Sequence, residues 1–260
     1  MHAANLHLVE RLRSIVGPSH VLQASDEVAS YATDWTRRWS GPCLCVVRPS
    51  STAEVVAIMR ACSESNTPVI PQGGNTSMVG GSVPSGEVQE CPLPVIISLL
   101  RLNWIGEVDQ FSGQLSAGAG ALLGHVQRRS AEAGWRYGVD LAARESATLG
   151  GTVATNAGGI NVIAYGMTRA QITGIQAVLP NGEVIDHMHG MLKDNTGYDL
   201  ASLLCGSEGT LAVITAVRVR LHRPPPATSV GLVGVDSYES SLRLVAAARA
   251  CGFPMLAMEV

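Results

Sequence analysis

The run SATLGGTVATNAGG, residues 146–159, decides how this chain is read. Two glycine pairs, Gly150-Gly151 and Gly158-Gly159, bracket small residues and hydroxyls, with hardly a bulky side chain between them. A backbone without Cβ atoms can approach a neighbour closely. A tight corner in a β structure would also tolerate these glycines. So much side-chain volume is given up, however, that the wall packs badly unless a flat ligand meets it. The whole stretch 138–159 reads as glycine-rich loop.

A second glycine-rich run lies upstream, after an apolar strand at residues 69–71. It comprises Pro71, Gln72, Gly73, Gly74, Asn75, Thr76 and Ser77, followed by Gly80, Gly81 and Ser82. Paired glycines let consecutive N–H groups turn toward one concave point, and the Asn, Thr and Ser side chains add neutral donors. Hydrogen bonds to a charged group contribute about 1.5–3 kcal/mol each, so a few can hold a diphosphate without lysine. Downstream, KDNTGYDL (193–200) leads into CGSEGTL (205–211), which taken alone reads as readily as a helix cap followed by a turn as it does as part of a site.

Around these runs the periodicity alternates between helix and strand. Leu6, Val9, Leu12 and Val16 predict an opening helix stopped by Gly17-Pro18. A strand at 44–47 follows, then a helix that Ser51 and Glu54 begin as a capping box and Asn66 and Pro68 end. Further strands are predicted at 95–99, 114–117 and 211–221, and a helix at 121–133. A hairpin is predicted from 172–179 through Asn181-Gly182 to 183–185. Pro224, Pro225 and Pro226 mark a boundary, beyond which 230–235 reads as a strand, 238–251 as a helix and 255–260 as the beginning of another strand. The expected organisation is a helical segment at 1–40, a two-lobed α+β domain at 41–223 and an incomplete piece at 224–260.

Composition narrows the chemistry. Of 260 residues, 46% are hydrophobic and 15% charged, enough apolar content for a core, and the net charge of −3 gives no basic field for nucleic acid. Lys193 is the single lysine and follows no GxxxxGK[ST] pattern, which excludes a Walker-type phosphate loop. Cys43, Cys45, Cys62, Cys91, Cys205 and Cys251 lack CxxC spacing and are expected as reduced, buried thiols. Residues 1–17 carry Glu10, Arg11 and Arg13 in an amphipathic pattern and read as neither a signal peptide nor a membrane span, so the expected location is cytoplasmic. Gly118-Ala119-Gly120 with Gly124 and Asp140 imitates a dinucleotide fingerprint, but the following 135–140 is too polar for a central parallel strand. His187 and His189, with Asp186 beside them, are too few to close a metal site, and no metal is expected. Trp35 and Trp39, beside Arg37 and Arg38, read as cover for a core edge.

The three runs in this order resemble the FAD-binding half of the vanillyl-alcohol-oxidase-type (PCMH-type) flavoproteins. The branch most similar is that of D-2-hydroxyacid dehydrogenases, with the D-lactate dehydrogenases and the glycolate oxidase large subunit. ATLGGTVATNAGG, KDNTGYDL and GSEGTL carry the resemblance, PQGGNTS strengthens it, and it spans residues 41–223. It implies FAD lying extended between two lobes, with the pyrophosphate held by Gly73, Gly74, Asn75, Thr76 and Ser77. By the same resemblance Ser146, Thr148, Gly151, Thr155, Asn156 and Gly159 line the isoalloxazine and ribityl, and Val213 and Ile214 back the adenine. Further cofactor contacts are expected at Pro71, Gln72, Gly80, Ser82, Asp140 and Glu208.

Ala142, Thr152 and Ala212 stand where the family usually has glycine or asparagine. The 72–77 loop holds no histidine or cysteine, so FAD is expected to be non-covalent. The implied chemistry is hydride removal from a D-2-hydroxy acid to flavin N5, supported by Thr148, Thr155 and Asn156. No catalytic base can be named. Relatives place those groups in a later substrate cap, of which residues 228–260 read as a truncated start. A flavin-binding module that takes its substrate half from a partner subunit is the alternative.

Overall fold

The computed structural model describes residues 3–84 and 92–259. The first lobe begins with α1 (Ala3–Val16), β1 (Val21–Leu22) and α2 (Ser25–Ala32), and continues through β2 (Cys45–Val47), α3 (Thr52–Glu64), β3 (Val69–Gln72) and β4 (Val95–Ser98). Its sheet has the order β1-β2-β4-β3; β4 lies between β2 and β3, parallel to both, and β1 runs antiparallel on the edge. β2 and β4 are buried along their whole length, as strands covered on both faces must be, and this explains their unbroken apolar runs. The Ser51 hydroxyl accepts the Glu54 N–H (3.2 Å) and the Glu54 carboxylate accepts the Ser50 N–H (2.7 Å), fixing the start of α3. The buried face of α3 carries Val55, Ile58, Met59, Ala61 and Cys62.

The second lobe is an antiparallel sheet of β5 (Ile105–Asp109), β6 (Gln114–Gly118), β7 (Ile172–Val178), β8 (Val184–His187) and β9 (Val213–Arg220), ordered β5-β6-β9-β7-β8. Its helices are α4 (Leu123–Glu132), α5 (Leu149–Ala154), α6 (Val162–Tyr165) and α7 (Leu200–Leu204). Val178 and Val213, at the ends of β7 and β9, pack into the first lobe's core, and the Thr52 hydroxyl donates to Gln176 (2.8 Å) across the junction. α8 (Tyr238–Ala250) follows the prolines.

Several expectations need correction. The stretch 138–159 is not all loop: α5 forms inside it because the buried Thr148 hydroxyl accepts the Gly151 N–H (3.2 Å). Position 150, inside that helix, requires glycine because a Cβ there would meet Ala119 Cβ at 2.5 Å. Residues 230–235 form no strand, since Val230 and Leu232 are fully exposed with nothing to pair against, and 255–259 have no regular structure either. Val260 and Cys91 lie outside the described residues. Cys45, Cys62 and Cys205 are buried and free, but Cys43 is half-buried and Cys251 exposed, because α8 buries only Ser241. No helix among the described residues is long and apolar enough to cross a membrane.

Candidate functional site

A cavity of about 450 Å³ opens between the lobes, and both glycine-rich runs line it. Gly73 to Ser77 leave the carboxyl end of β3, where ligands of open parallel sheets collect. The backbone N–H groups of Gly73, Gly74, Asn75, Thr76 and Ser77 meet no protein acceptor among the described residues. Successive unpaired donors on a loop that lines a cavity are what an anion nest is built from.

The amide side chains do a different job from the one expected. The Gln72 amide donates to the carbonyls of Tyr31 (2.8 Å) and Ser82 (2.7 Å). The Asn75 amide donates to the carbonyls of Thr33 (2.8 Å) and Ser30 (3.3 Å), while its oxygen accepts from the Ser82 hydroxyl (2.8 Å). These side chains brace the loop against α2 and the turn behind it. That turn is tied by the buried Asp34, whose carboxylate accepts from Thr36 and the Trp39 N–H (3.0 Å). Trp39 stands over Gly80, where a Cβ would meet its ring at 2.6 Å, and Trp35 is largely exposed, so neither covers a core edge.

The opposite wall is α5 with its flanks. Thr148, Gly151 and Thr155 line the cavity with Gly150, Thr152, Ala154 and Ala157. The two runs touch: a Cβ on Gly73 would sit 2.3 Å from the Thr148 hydroxyl, and one on Gly74 would sit 1.9 Å from the Ser146 carbonyl oxygen. The third wall comes from the turn after α7, where Glu208 and Gly209 hold positive φ. Its N–H groups are laced to α5, Gly206 to the Val153 carbonyl (3.0 Å) and Glu208 to the Ala154 carbonyl (2.9 Å). Arg169, which the sequence reading missed, donates to the carbonyls of Ser202 and Cys205 and secures that turn. The Asp199 carboxylate caps α7 on the Ser202 N–H (2.9 Å), which with the Ser202 hydroxyl holds it below the usual carboxylate range.

Of the expected contacts, Pro71, Gln72, Gly73, Gly74, Asn75, Thr76, Ser77, Ser82, Thr148, Gly151, Thr155, Glu208 and Ile214 are brought to this cavity. Gly80, Asp140, Ser146, Asn156, Gly159 and Val213 are not among its lining residues. Asp140 and Gly159 hold each other behind the wall: the Asp140 carboxylate pairs with Arg144 (2.9 Å) and its carbonyl accepts the Ile160 N–H (2.9 Å). A Cβ on Gly159 would strike that carbonyl at 2.0 Å. The Asn156 side chain accepts the Arg169 N–H (3.0 Å) and is a brace. Val213 faces the first lobe's core while its neighbour Ile214 faces the cavity, as strand alternation requires. Leu141, Ala143, Val79 and Leu99, which the motifs did not flag, also line it.

Among the described lining residues Glu208 alone is ionisable, and none is histidine, cysteine or tyrosine. Apart from Glu208 the described wall is therefore uncharged, with the 73–77 loop along one side and small residues along the other. The cavity fits a diphosphate joined to flat rings.

Comparison with known proteins agrees. Residues 43–187 match the family described as FAD binding domain. The chain is 34% identical over 239 residues to the D-2-hydroxyglutarate–pyruvate transhydrogenase of Saccharomyces cerevisiae, covering 91% of this chain and 47% of that protein. It is 38% identical over 225 residues to the mitochondrial D-2-hydroxyglutarate dehydrogenase of Danio rerio, covering 86% and 41%. Among solved structures, alkyldihydroxyacetonephosphate synthase shares the fold at TM-score 0.74 and 23% identity, over 85% of this chain and 41% of that one. p-Cresol methylhydroxylase does so at 0.70 and 19%, over 87% and 45%. The chain spans less than half the length of these relatives.

Proposed function

The chain belongs to the FAD binding domain family, and from that premise we propose that it holds FAD without a covalent bond, as the flavin half of an oxidoreductase acting on a D-2-hydroxy acid. The observation that carries the reading is the row of N–H groups from Gly73 to Ser77, without a protein acceptor among the described residues, on a loop that lines a cavity whose other wall is α5. The backbone donors would hold the diphosphate, each charged hydrogen bond contributing about 1.5–3 kcal/mol. Gly151, Thr155 and Ala157 would leave room for the ring system, and Ile214 would give the adenine end an apolar floor. When bound, the flavin supplies a hydride acceptor at N5. The absence of histidine, cysteine and tyrosine among the described lining residues supports non-covalent attachment.

The substrate class rests on the names of the relatives, a D-2-hydroxyglutarate transhydrogenase and a D-2-hydroxyglutarate dehydrogenase. The described cavity lining has no cation to receive a substrate carboxylate and no base beyond Glu208. The groups that hold and deprotonate the substrate are therefore expected outside this lining, in further chain or in a partner subunit.

Two measurements test the reading. The chain mixed with FAD is expected to retain visible flavin bands through desalting and to lose them on denaturation; a folded preparation that refuses FAD refutes the cofactor, and flavin mass retained on the denatured chain refutes non-covalent binding. Anaerobic D-lactate, glycolate or D-2-hydroxyglutarate is expected to leave the flavin of this chain alone oxidised. Bleaching by the isolated chain would refute the placement of the substrate groups elsewhere.

A further inference from the structure

We propose that the chain carries a second site, for a borderline divalent cation of the Zn2+ type, formed by His187, His189 and Asp194 on the outer edge of the second lobe. The two histidines alone are too few ligands, and their neighbour Asp186 is engaged elsewhere, its carboxylate accepting from the Gln176 amide (2.9 Å) across β7 and β8. The fold supplies a third ligand that sequence spacing does not show. After β8 the chain turns back on itself, and one ligand atom each from His187, His189 and Asp194 lies within 4.8 Å of the others.

The bend that makes this possible is built. Gln114, buried in β6, donates its amide to the carbonyl of Gly190 (2.9 Å), the residue after His189 and four before Asp194. Its oxygen is held by Arg218 (2.6 Å) and the Thr173 hydroxyl (3.1 Å), so the anchor itself is fixed. Gly190 has φ +71°, and a Cβ there would strike the Gln114 oxygen at 2.3 Å; Gly174 lets the chain cross β7 at His187, where a Cβ would meet the His187 carbonyl at 2.7 Å. Both glycines hold the ligand-bearing turn against the sheet.

His187 ends β8 and His189 lies in the bend just beyond it, and the two rings stand with centroids 5.6 Å apart. His189 Nε2 is 3.5 Å from Asp194 Oδ2. Metal–ligand bonds of about 2.0–2.2 Å in tetrahedral geometry place ligand atoms roughly 3.3 Å apart. That pair already stands near this spacing, and rotation of partly exposed side chains brings the third atom in. The Thr196 N–H donates to the other Asp194 oxygen (2.9 Å), orienting the carboxylate. Two imidazoles and one carboxylate select Zn2+, Cu2+ or Ni2+ over Mg2+ and Ca2+, which prefer all-oxygen shells. The ion would join the end of β8 to the 194–199 segment that leads into α7.

The test uses the chelator-treated chain without FAD, so its outcome is separate from the flavin reading. Zn2+ titration by calorimetry is expected to show one ion per chain, and Co2+ to develop visible absorption bands. Loss of a group that merely supports a ligand lowers affinity about 10–100-fold, so Asp194→Asn is expected to weaken Zn2+ by at least that, and His187→Ala/His189→Ala to abolish it. His20→Ala, remote from the turn, is the control and should bind as the parent does. The proposal is overturned if the double variant, verified as folded by circular dichroism, binds Zn2+ as tightly as the parent. It is equally overturned if Asp194→Asn changes nothing.

Discussion

Adding one methyl group at Gly74 tests the contact on which the cavity depends. A Cβ there would lie 1.9 Å from the Ser146 carbonyl oxygen, 2.9 Å from its carbon and 3.2 Å from the Ala147 Cα. A carbon normally approaches a carbonyl oxygen no closer than about 3.3 Å, so the two walls must separate by roughly 1.4 Å. The obstruction is backbone and cannot swing aside. It is also held in place, with the Ser146 and Ala147 N–H groups on the Ala143 carbonyl (2.8 and 2.7 Å) and the Ala147 carbonyl on the Leu123 N–H (2.9 Å). The 73–77 loop must therefore move, and overpacking of this kind costs about 1–3 kcal/mol in stability.

A displacement above 1 Å also takes the loop's N–H groups out of the 2.7–3.2 Å range. Losing two charged hydrogen bonds at about 1.5–3 kcal/mol each weakens FAD roughly a hundredfold to ten-thousandfold. The assay is quenching of flavin fluorescence on titration with chain, beside thermal melting followed by circular dichroism. Gly231→Ala, where a Cβ meets nothing within 4 Å, is the neutral control. If Gly74→Ala melts and binds FAD as the parent does, the reasoning about the touching walls is wrong. If it melts lower yet binds FAD equally well, the contact is right and the anion role of the loop is refuted.

Four further outcomes are expected. Thr148→Ala removes the cap of α5 and should lower stability by about 1 kcal/mol in denaturant titrations, with Thr148→Ser retaining most of it. Burial raises the Asp34 carboxyl, but the Thr36 hydroxyl and the N–H groups of Trp39, Thr36 and Arg38 outweigh it and hold it below the ordinary carboxylate range. Its stabilisation should be complete above that range and lost as pH falls through the depressed value, and Asp34→Asn should flatten this acid limb of the melting temperature. Burial pushes the Cys45 and Cys62 thiols up to about 12, so iodoacetamide on the native chain at mildly alkaline pH should label exposed Cys251 and spare both until unfolding, read by peptide mass. α3 and α8 are both 13 residues long, but α3 buries five side chains and α8 only Ser241, so amides of α8 should exchange hydrogen far faster.

Elements set by short-range rules were legible before the fold was. The capping box at Ser51 and Glu54, the apolar runs of β2 and β4, and the Asn181-Gly182 hairpin each state their structure within a few residues. What stayed hidden depends on distant partners. α2 and the turn at Asp34 carry little periodicity, yet they receive the Gln72 and Asn75 amides and so set the shape of the anion loop. β5 has no fully buried residue and disappears from a hydropathy reading, although β6 pairs with it. Residues 230–235 failed in the opposite sense, because a strand pattern is only a capacity to pair and no described strand lies beside it.

The glycine runs show both sides of this division. Their lack of side-chain volume correctly indicated a close approach, but the first partner approached is the protein itself. Gly74 meets Ser146, Gly150 meets Ala119 and Gly159 meets Asp140, each at a distance no Cβ could occupy. Asn156, read as a flavin contact, likewise turns to Arg169. Close packing of these glycines brings the β3 loop, α5 and the Glu208 turn around one cavity, and only then do residues 73–77, whose N–H groups have no acceptor among the described residues, come to line it. Glycine composition thus reported the cavity through its walls. Which residues face inward was fixed one step later, by strand alternation at Val213 and Ile214 and by the side-chain braces at Gln72 and Asn75.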